Sequence, residues 1–97
     1  MKVTNMHSSK GLPVPNQFHV KLDDGSEYFQ SYSSVVVRKD RNGNITLDEL
    51  YWDFSKTTSR YLHTFLGVYS KKEILQKITE GKYKVANLNY PEVRHVY

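Results

Sequence analysis

The chain of 97 residues contains no cysteine. That absence excludes a disulfide framework and a thiolate metal site, and it leaves the redox compartment open. Long apolar runs are also missing. The longest is Val35-Val36-Val37, far short of the roughly 20 residues that a membrane-spanning helix requires. The opening Met1-Lys2-Val3-Thr4-Asn5-Met6-His7-Ser8-Ser9-Lys10 has no apolar h-region of the kind a secretory signal carries. No internal repeat or low-complexity tract occurs. Nor is there an HExxH, GxSxG, GxGxxG or P-loop glycine pattern. His7, His19, His63 and His95 are scattered without ligand spacing, and His7-Ser8-Ser9 alone does not make a nucleophile with a base. These absences predict a soluble intracellular protein that is not an enzyme and holds no cofactor and no metal.

What is present argues for a folded domain. Hydrophobic residues make up only 38% of the chain, but aromatics reach 13%, including eight Tyr. Disordered segments are poor in aromatics, so the core is expected to be built from Tyr, Phe and Val. The length suits a single core without staples.

The organisation predicted is a single α+β domain over residues 1–89. Residues 4–17 are polar and carry Pro13 and Pro15, so residues 1–16 are expected to be an irregular lead-in. Phe18, Val20 and Leu22 then alternate with His19 and Lys21, the period of a half-buried strand. On that reading the apolar set faces the core and His19 is exposed. Asp24-Gly25 and Asn42-Gly43 are hairpin signals. Between them lie Glu27 to Tyr32 and Ser34 to Lys39, either two strands or one long strand bent at Ser33-Ser34. Ile45 and Leu47 resume the alternation. Residues 17–53 are therefore an antiparallel meander of three or four strands.

After Trp52-Asp53-Phe54 the period changes. Ser55 caps a helix running to about Leu66, with Thr58, Tyr61, Leu62, Phe65 and Leu66 on one side and Gly67 at the C-cap position. Ser70-Lys71-Lys72-Glu73 fits a capping box, with Tyr69 and Ile74 as its hydrophobic staple. That second helix covers roughly residues 71–80 and ends at Gly81. Lys82 to Leu88 is a candidate last strand, and residues 90–97 are expected to be a flexible tail. Tyr61, Leu62, Phe65, Ile74 and Ile78 should pack the two short helices on one face, onto Phe18, Val20 and Leu22.

Two motifs have simpler explanations. Asp40 to Glu49 has the look of a calcium loop, but Ile45 stands where an EF-hand needs glycine and Tyr51 where it needs a bidentate Glu. A hairpin turn accounts for these residues. Leu66-Gly67-Val68-Tyr69-Ser70, followed by Ile74 and Ile78, has features of a helix-turn-helix. Its turn is one residue too long, and bulky His63 stands where such helices cross closely. An αα-hairpin explains it equally.

Charge is divided along the chain. Residues 23–54 carry a net −4, residues 55–85 a net +5, within a formal total of +4. Such a division speaks about partners, not fold. The candidate anion- or partner-binding residues are Lys56, Arg60, Lys71, Lys72, Lys77, Lys82 and Lys84, with Tyr69 and Tyr83 as candidate stacking residues. Solvated lysines and packed tyrosines explain the same positions without a ligand.

Several segments carry a resemblance: Met1 to Gly11 with Val14-Pro15-Asn16-Gln17-Phe18, and Tyr28-Phe29-Gln30-Ser31-Tyr32. Thr46-Leu47-Asp48 leading to Tyr51-Trp52-Asp53, and Thr57-Thr58-Ser59-Arg60-Tyr61 leading to Phe65-Leu66-Gly67, complete it. Together they are similar to a family of small uncharacterised proteins encoded by tailed bacteriophages. The resemblance extends to about Asn89. It implies a phage origin and a stand-alone domain, and it brings no activity or site residues; the location expected is the host cell cytoplasm. The function expected by class is a non-catalytic binding module on a host or phage protein, including inhibition of a host process or defence. The alternative is a nucleic-acid-binding module using the basic half.

Overall fold

The computed structural model describes residues 1–89; the tail expected at 90–97 lies outside them. Three of its turns share one chemistry. In Ser8–Gly11, Leu22–Gly25 and Asp40–Gly43 the fourth residue is a glycine whose N–H donates to the carbonyl of the first, at 2.9, 3.2 and 2.9 Å. The glycines have φ of 78°, 91° and 87°, a region that costs glycine nothing and other residues a steric penalty. Each closes a hairpin of the type I-plus-glycine kind. Asp24 and Asp40 reinforce two of these turns. Asp24 Oδ1 accepts from Ser26 Oγ at 2.6 Å and Ser26 N–H at 2.9 Å, and Asp40 accepts from the N–H groups of Asn42 and Asn44 and from Asn44 Nδ2.

These turns string together β1 (Lys2–His7), β2 (Pro13–Lys21), β3 (Glu27–Ser31), β4 (Ser34–Lys39) and β5 (Ile45–Asp48) as an antiparallel meander. The β3–β4 link is a tight two-residue turn at Tyr32-Ser33, so these are two strands and not one bent strand. The irregular lead-in expected at 1–16 is instead β1, its turn and the start of β2. Thr4 faces His19 and Asn5 faces Phe18 across the pair. β1 is polar because it lies at the sheet edge, where only Met6 is buried. Pro13 and Pro15 are tolerated because β2 pairs with β3 only from Gln17 onward, so no bond to β3 is lost there, and Pro13 meets β1 only at His7, next to a register shift.

The helices lie where the caps place them. In α1 (Lys56–Leu66), Ser55 Oγ accepts from Thr58 N–H at 3.1 Å, and Gly67 closes the end with φ 71°. In α2 (Lys71–Thr79), Ser70 Oγ accepts from Glu73 N–H at 3.3 Å. The reciprocal arm of the capping box differs from expectation. Glu73 reaches the N–H of Tyr69, one residue earlier than Ser70, at 3.1 Å. The staple is absent as well: Tyr69 is 93% exposed, and Val68 is the turn residue that enters the core.

The last strand, β6 (Tyr83–Ala86), joins the sheet parallel to β5. Parallel neighbours cannot be joined by a tight turn, so the helical pair is the crossover and must lie over one face. Beyond β6, Asn89 reaches β4, its side chain accepting from Val35 N–H at 2.6 Å and donating to Val35 C=O at 2.8 Å.

The face that the helices cover is the opposite of the one the alternation of β2 suggests. His19 sits edge-on to Phe65 of α1 at 5.3 Å and bonds Glu27 at 2.6 Å, while its partner Phe29 stacks on Phe65 at 6.5 Å. Ser31 Oγ meets Thr58 of α1 at 3.2 Å. Phe18 and Val20 point the other way, beside Val3, Tyr28 and Gln30 in a shallow surface cleft of about 330 Å³. The core is Phe29, Val36, Val37, Leu47, Leu62 and Ile74, joined by Tyr61, Val68 and Tyr83; Phe65 and Ile78 are half-buried at its margin. The helical residues expected in the core thus pack there, but not against Phe18 and Val20.

Candidate functional site

A broad concave surface is built by the connection between β5 and α1. Asp48 is buried, and its two carboxylate oxygens accept three backbone N–H groups: Leu50 and Tyr51 at 3.0 Å and Leu88 at 2.8 Å. The first two fold the chain into a turn, and the third ties that turn to the end of β6. Trp52 N–H adds a bond to the Asp48 carbonyl at 3.1 Å. Held this way, the turn presents Trp52, Asp53 and Phe54 immediately before the Ser55 cap.

A cleft of about 780 Å³ opens between this turn, the first half of α1 and the start of α2. Its aromatic members are Trp52, Phe54 and Tyr69, and its cations are Lys56, Arg60 and Lys71. Lys56 and Arg60 are four residues apart and so share one face of α1. Lys71, in the first turn of α2, bonds Asp53 at 2.6 Å and lies 5.9 Å from the centre of the Trp52 ring. Both partners of that ion pair are about half exposed, so it is worth no more than about 1 kcal/mol. Phe54 is 64% exposed and stands 5.3 Å from the Tyr51 ring.

The structure gathers only part of the predicted site. Lys56, Arg60, Lys71 and Tyr69 meet in the cleft; Lys72, Lys77, Lys82 and Lys84 do not line it. Lys82 pairs with Glu80 at 3.5 Å, and Lys77 lies 5.6 Å from the Tyr83 ring centre. Tyr83 is buried, and burial, with Glu73 nearby, raises its phenol pKa above the ordinary 10.0. A ring held in the core presents no face to a base, so Tyr83 is removed as a stacking residue.

Among the described residues, six of the seven carboxylates of the acidic half, all but Glu49, make contacts within the chain. Asp23 meets the Met1 amino group, Glu27 meets His19, Asp53 meets Lys71, and Asp24, Asp40 and Asp48 cap turns. Hydrogen bonds from Ser26 lower the Asp24 pKa, chiefly through its hydroxyl, and those from Asn44, chiefly its backbone N–H, lower that of Asp40. Asp40 therefore serves its hairpin. Among the described residues no group of three or more His, Asp or Glu side chains is arranged to hold a metal ion.

Trp52, Phe54 and His63 of the cleft are absent from the candidate binding and stacking residues read from the sequence. The available signal is the aromatic run Tyr51-Trp52-Asp53-Phe54 placed directly before a helix cap. Aromatics there have no alternation to bury them.

The chain belongs to a family of unknown function (DUF8033), whose model matches residues 1–81. The match takes in β1 to β5 and both helices and stops before β6. No curated protein and no solved structure matches the chain.

Proposed function

We propose that this member of the family is a non-catalytic binding module that seats an acidic segment of a protein partner in the cleft between the Trp52–Phe54 turn and the two helices. One observation carries the reading: exposed aromatics and cations converge on a single concave surface. Phe54 and Tyr69 are exposed at 64% and 93%, an arrangement that folding alone does not reward. Aromatic and arginine side chains are the groups that dominate protein interfaces when a partner excludes water from them. Lys56 and Arg60 make no ion pair with any described carboxylate, so both are available to a partner's acidic groups as far as the described residues are concerned.

The resemblance to phage-encoded proteins extends the proposal: a small phage accessory protein acting in the host cytoplasm on a host or phage protein. Nucleic acid is the less favoured partner. Only three of the seven predicted basic residues share the cleft, and Asp53 places a carboxylate among them.

The test is affinity capture from host cells, with and without nuclease, repeated with Phe54→Ala plus Tyr69→Ala and with Lys56→Glu plus Arg60→Glu. The proposal expects a nuclease-resistant partner whose affinity falls at least tenfold with either double variant, while the melting temperature stays within a few degrees. Purified complex should change affinity modestly between 50 and 200 mM salt. Loss of the partner on nuclease treatment, or a salt dependence approaching the ~10³-fold of several phosphate contacts, transfers the assignment to nucleic acid. A partner unaffected by both variants removes the cleft from consideration.

A further inference from the structure

On the other flank of α1 lies a second cleft, of about 570 Å³, between that helix and the β1–β2 turn. It is lined by His7, Ser8 and Ser9 from the turn and by Arg60, Tyr61 and Thr64 from the helix. Among the described residues, Arg60 alone lines both this cleft and the aromatic one.

The hydrogen-bond inventory of this lining is lopsided. Ser8 Oγ already accepts from the N–H groups of Lys10 and Leu12, both at 3.3 Å, which occupies its lone pairs and leaves its hydroxyl proton free to donate. Those two bonds, with Ser8 N–H donating to Leu12 C=O at 2.8 Å, hold the turn in place. Ser9 and Tyr61 each offer a hydroxyl, and the His7 ring offers one N–H in either neutral tautomer. Thr64 is the exception: its Oγ1 donates to the Arg60 carbonyl within the helix at 3.3 Å. Arg60 contributes a guanidinium with no described carboxylate paired to it, and among the described residues no Asp or Glu lines the cleft.

A concave surface rich in donors and free of carboxylates, with one guanidinium, suits a tetrahedral oxyanion. The planar fork of an arginine takes two oxygens of a phosphate, and hydroxyl donors take the others. We propose that this cleft is a binding site for a phosphate monoester group, with Arg60 as the charged anchor and Ser8, Ser9, His7 and Tyr61 as neutral donors. The site is separate from the protein-docking cleft except at Arg60.

The experiment is a titration of the ¹⁵N-labelled full chain with inorganic phosphate, against sodium chloride at matched ionic strength. Saturable shifts are expected at the amides of residues 7–11 and at Arg60, and not at Lys71 or Lys72. Arg60→Gln should weaken phosphate binding at least tenfold. The combination Ser9→Ala with His7→Ala should weaken it several-fold while leaving the melting temperature and the protein partner's affinity unchanged, which separates this site from the first cleft. A 5′-mononucleotide and vesicles containing a phosphate-headed lipid identify the source: tighter binding of either than of free phosphate, lost in Arg60→Gln, supports the site and names the carrier. Shifts no larger than those of chloride, or shifts indifferent to Arg60→Gln, overturn the proposal.

Discussion

Two faces of one sheet carry the contrast that organises this molecule. Beneath α1 and α2 the sheet presents Phe29, Val37 and Leu47, all fully buried, together with the polar Gln17, His19 and Ser31. The opposite face presents Val3, Phe18, Val20 and Tyr28, and among the described residues no helix lies over it. Apolar side chains on that face shelter one another: Val20 is 3% exposed because Val3 and Tyr28 flank it across the neighbouring strands, whereas Val3 itself is 53% exposed. Burial on the first face comes from a second layer, and on the other from neighbours in the same layer. The crossover that must join the parallel strands β5 and β6 supplies the second layer on one face only, so the apolar count of a single strand does not tell which of its sides is covered.

The contrast is tested most strongly by truncating one phenylalanine on each face. Phe29→Ala should cost about 3–5 kcal/mol in chemical denaturation, as expected for a fully buried ring, and Phe18→Ala only about 1 kcal/mol. Equal costs would mean that the far face is covered. Asp48→Ala comes next, at about 2 kcal/mol, because it removes a buried carboxylate that accepts part-buried N–H groups of Leu50, Tyr51 and Leu88. Hydrogen exchange at those three amides should accelerate, and the Trp52–Phe54 turn should lose its order with them. Unchanged protection would show that the turn is held by something other than this carboxylate.

A third variant has the opposite sign. Gln17 is 1% exposed on the covered face, and its Oε1 has no hydrogen-bond partner among the described residues. Gln17→Met keeps the volume and removes the unpaired acceptor, so stability should rise by up to about 1 kcal/mol. A loss of stability would reveal a partner for that oxygen. The smallest effect concerns pH. Asp24 and Asp40 titrate below the ordinary 3.8 when folded, so each stabilises the fold at pH values above 3.8. That contribution disappears as pH falls through 3.8 toward their lowered folded values. Asp40→Ala should therefore flatten the acid side of a melting-temperature profile below about pH 4 and leave the neutral side parallel to the parent. An unchanged acid limb would remove Asp40 from the list of groups that stabilise the hairpin.

Much of the backbone is legible in short stretches of residues. Asp24-Gly25 and Asn42-Gly43 turn as read, Ser55 and Ser70 cap as read, and Gly67 and Gly81 stand at the two helix ends with φ of 71° and 78°. Ser8-Ser9-Lys10-Gly11 carries the same fourth-position glycine and closes the first hairpin, yet two prolines nearby mask it. Alternation in β2 correctly separates Phe18 and Val20 from His19, then assigns the pair to the wrong side. His19 is tolerated beneath α1 because Glu27 satisfies its ring nitrogen and Phe65 meets its edge. Tyr69 and Val68 exchange their expected roles because the α1–α2 turn aims Val68 inward.

The candidate cleft divides in the same way. Lys56 and Arg60 are neighbours on any helix and Lys71 lies in the first turn of the next, so their chemistry is visible along the chain. Their meeting with Trp52, Phe54 and Tyr69, the withdrawal of Tyr83 into the core, and the pairing of Lys71 with Asp53 depend on packing between distant elements. Turns, caps and the period of each element arise from groups within about four residues of one another, where bond geometry and local hydrogen bonds suffice. Which face is covered, which aromatic stays exposed and which cations converge depend on how a strand, two helices and a loop close over the sheet. No short-range interaction encodes that choice; burial of the whole apolar surface does.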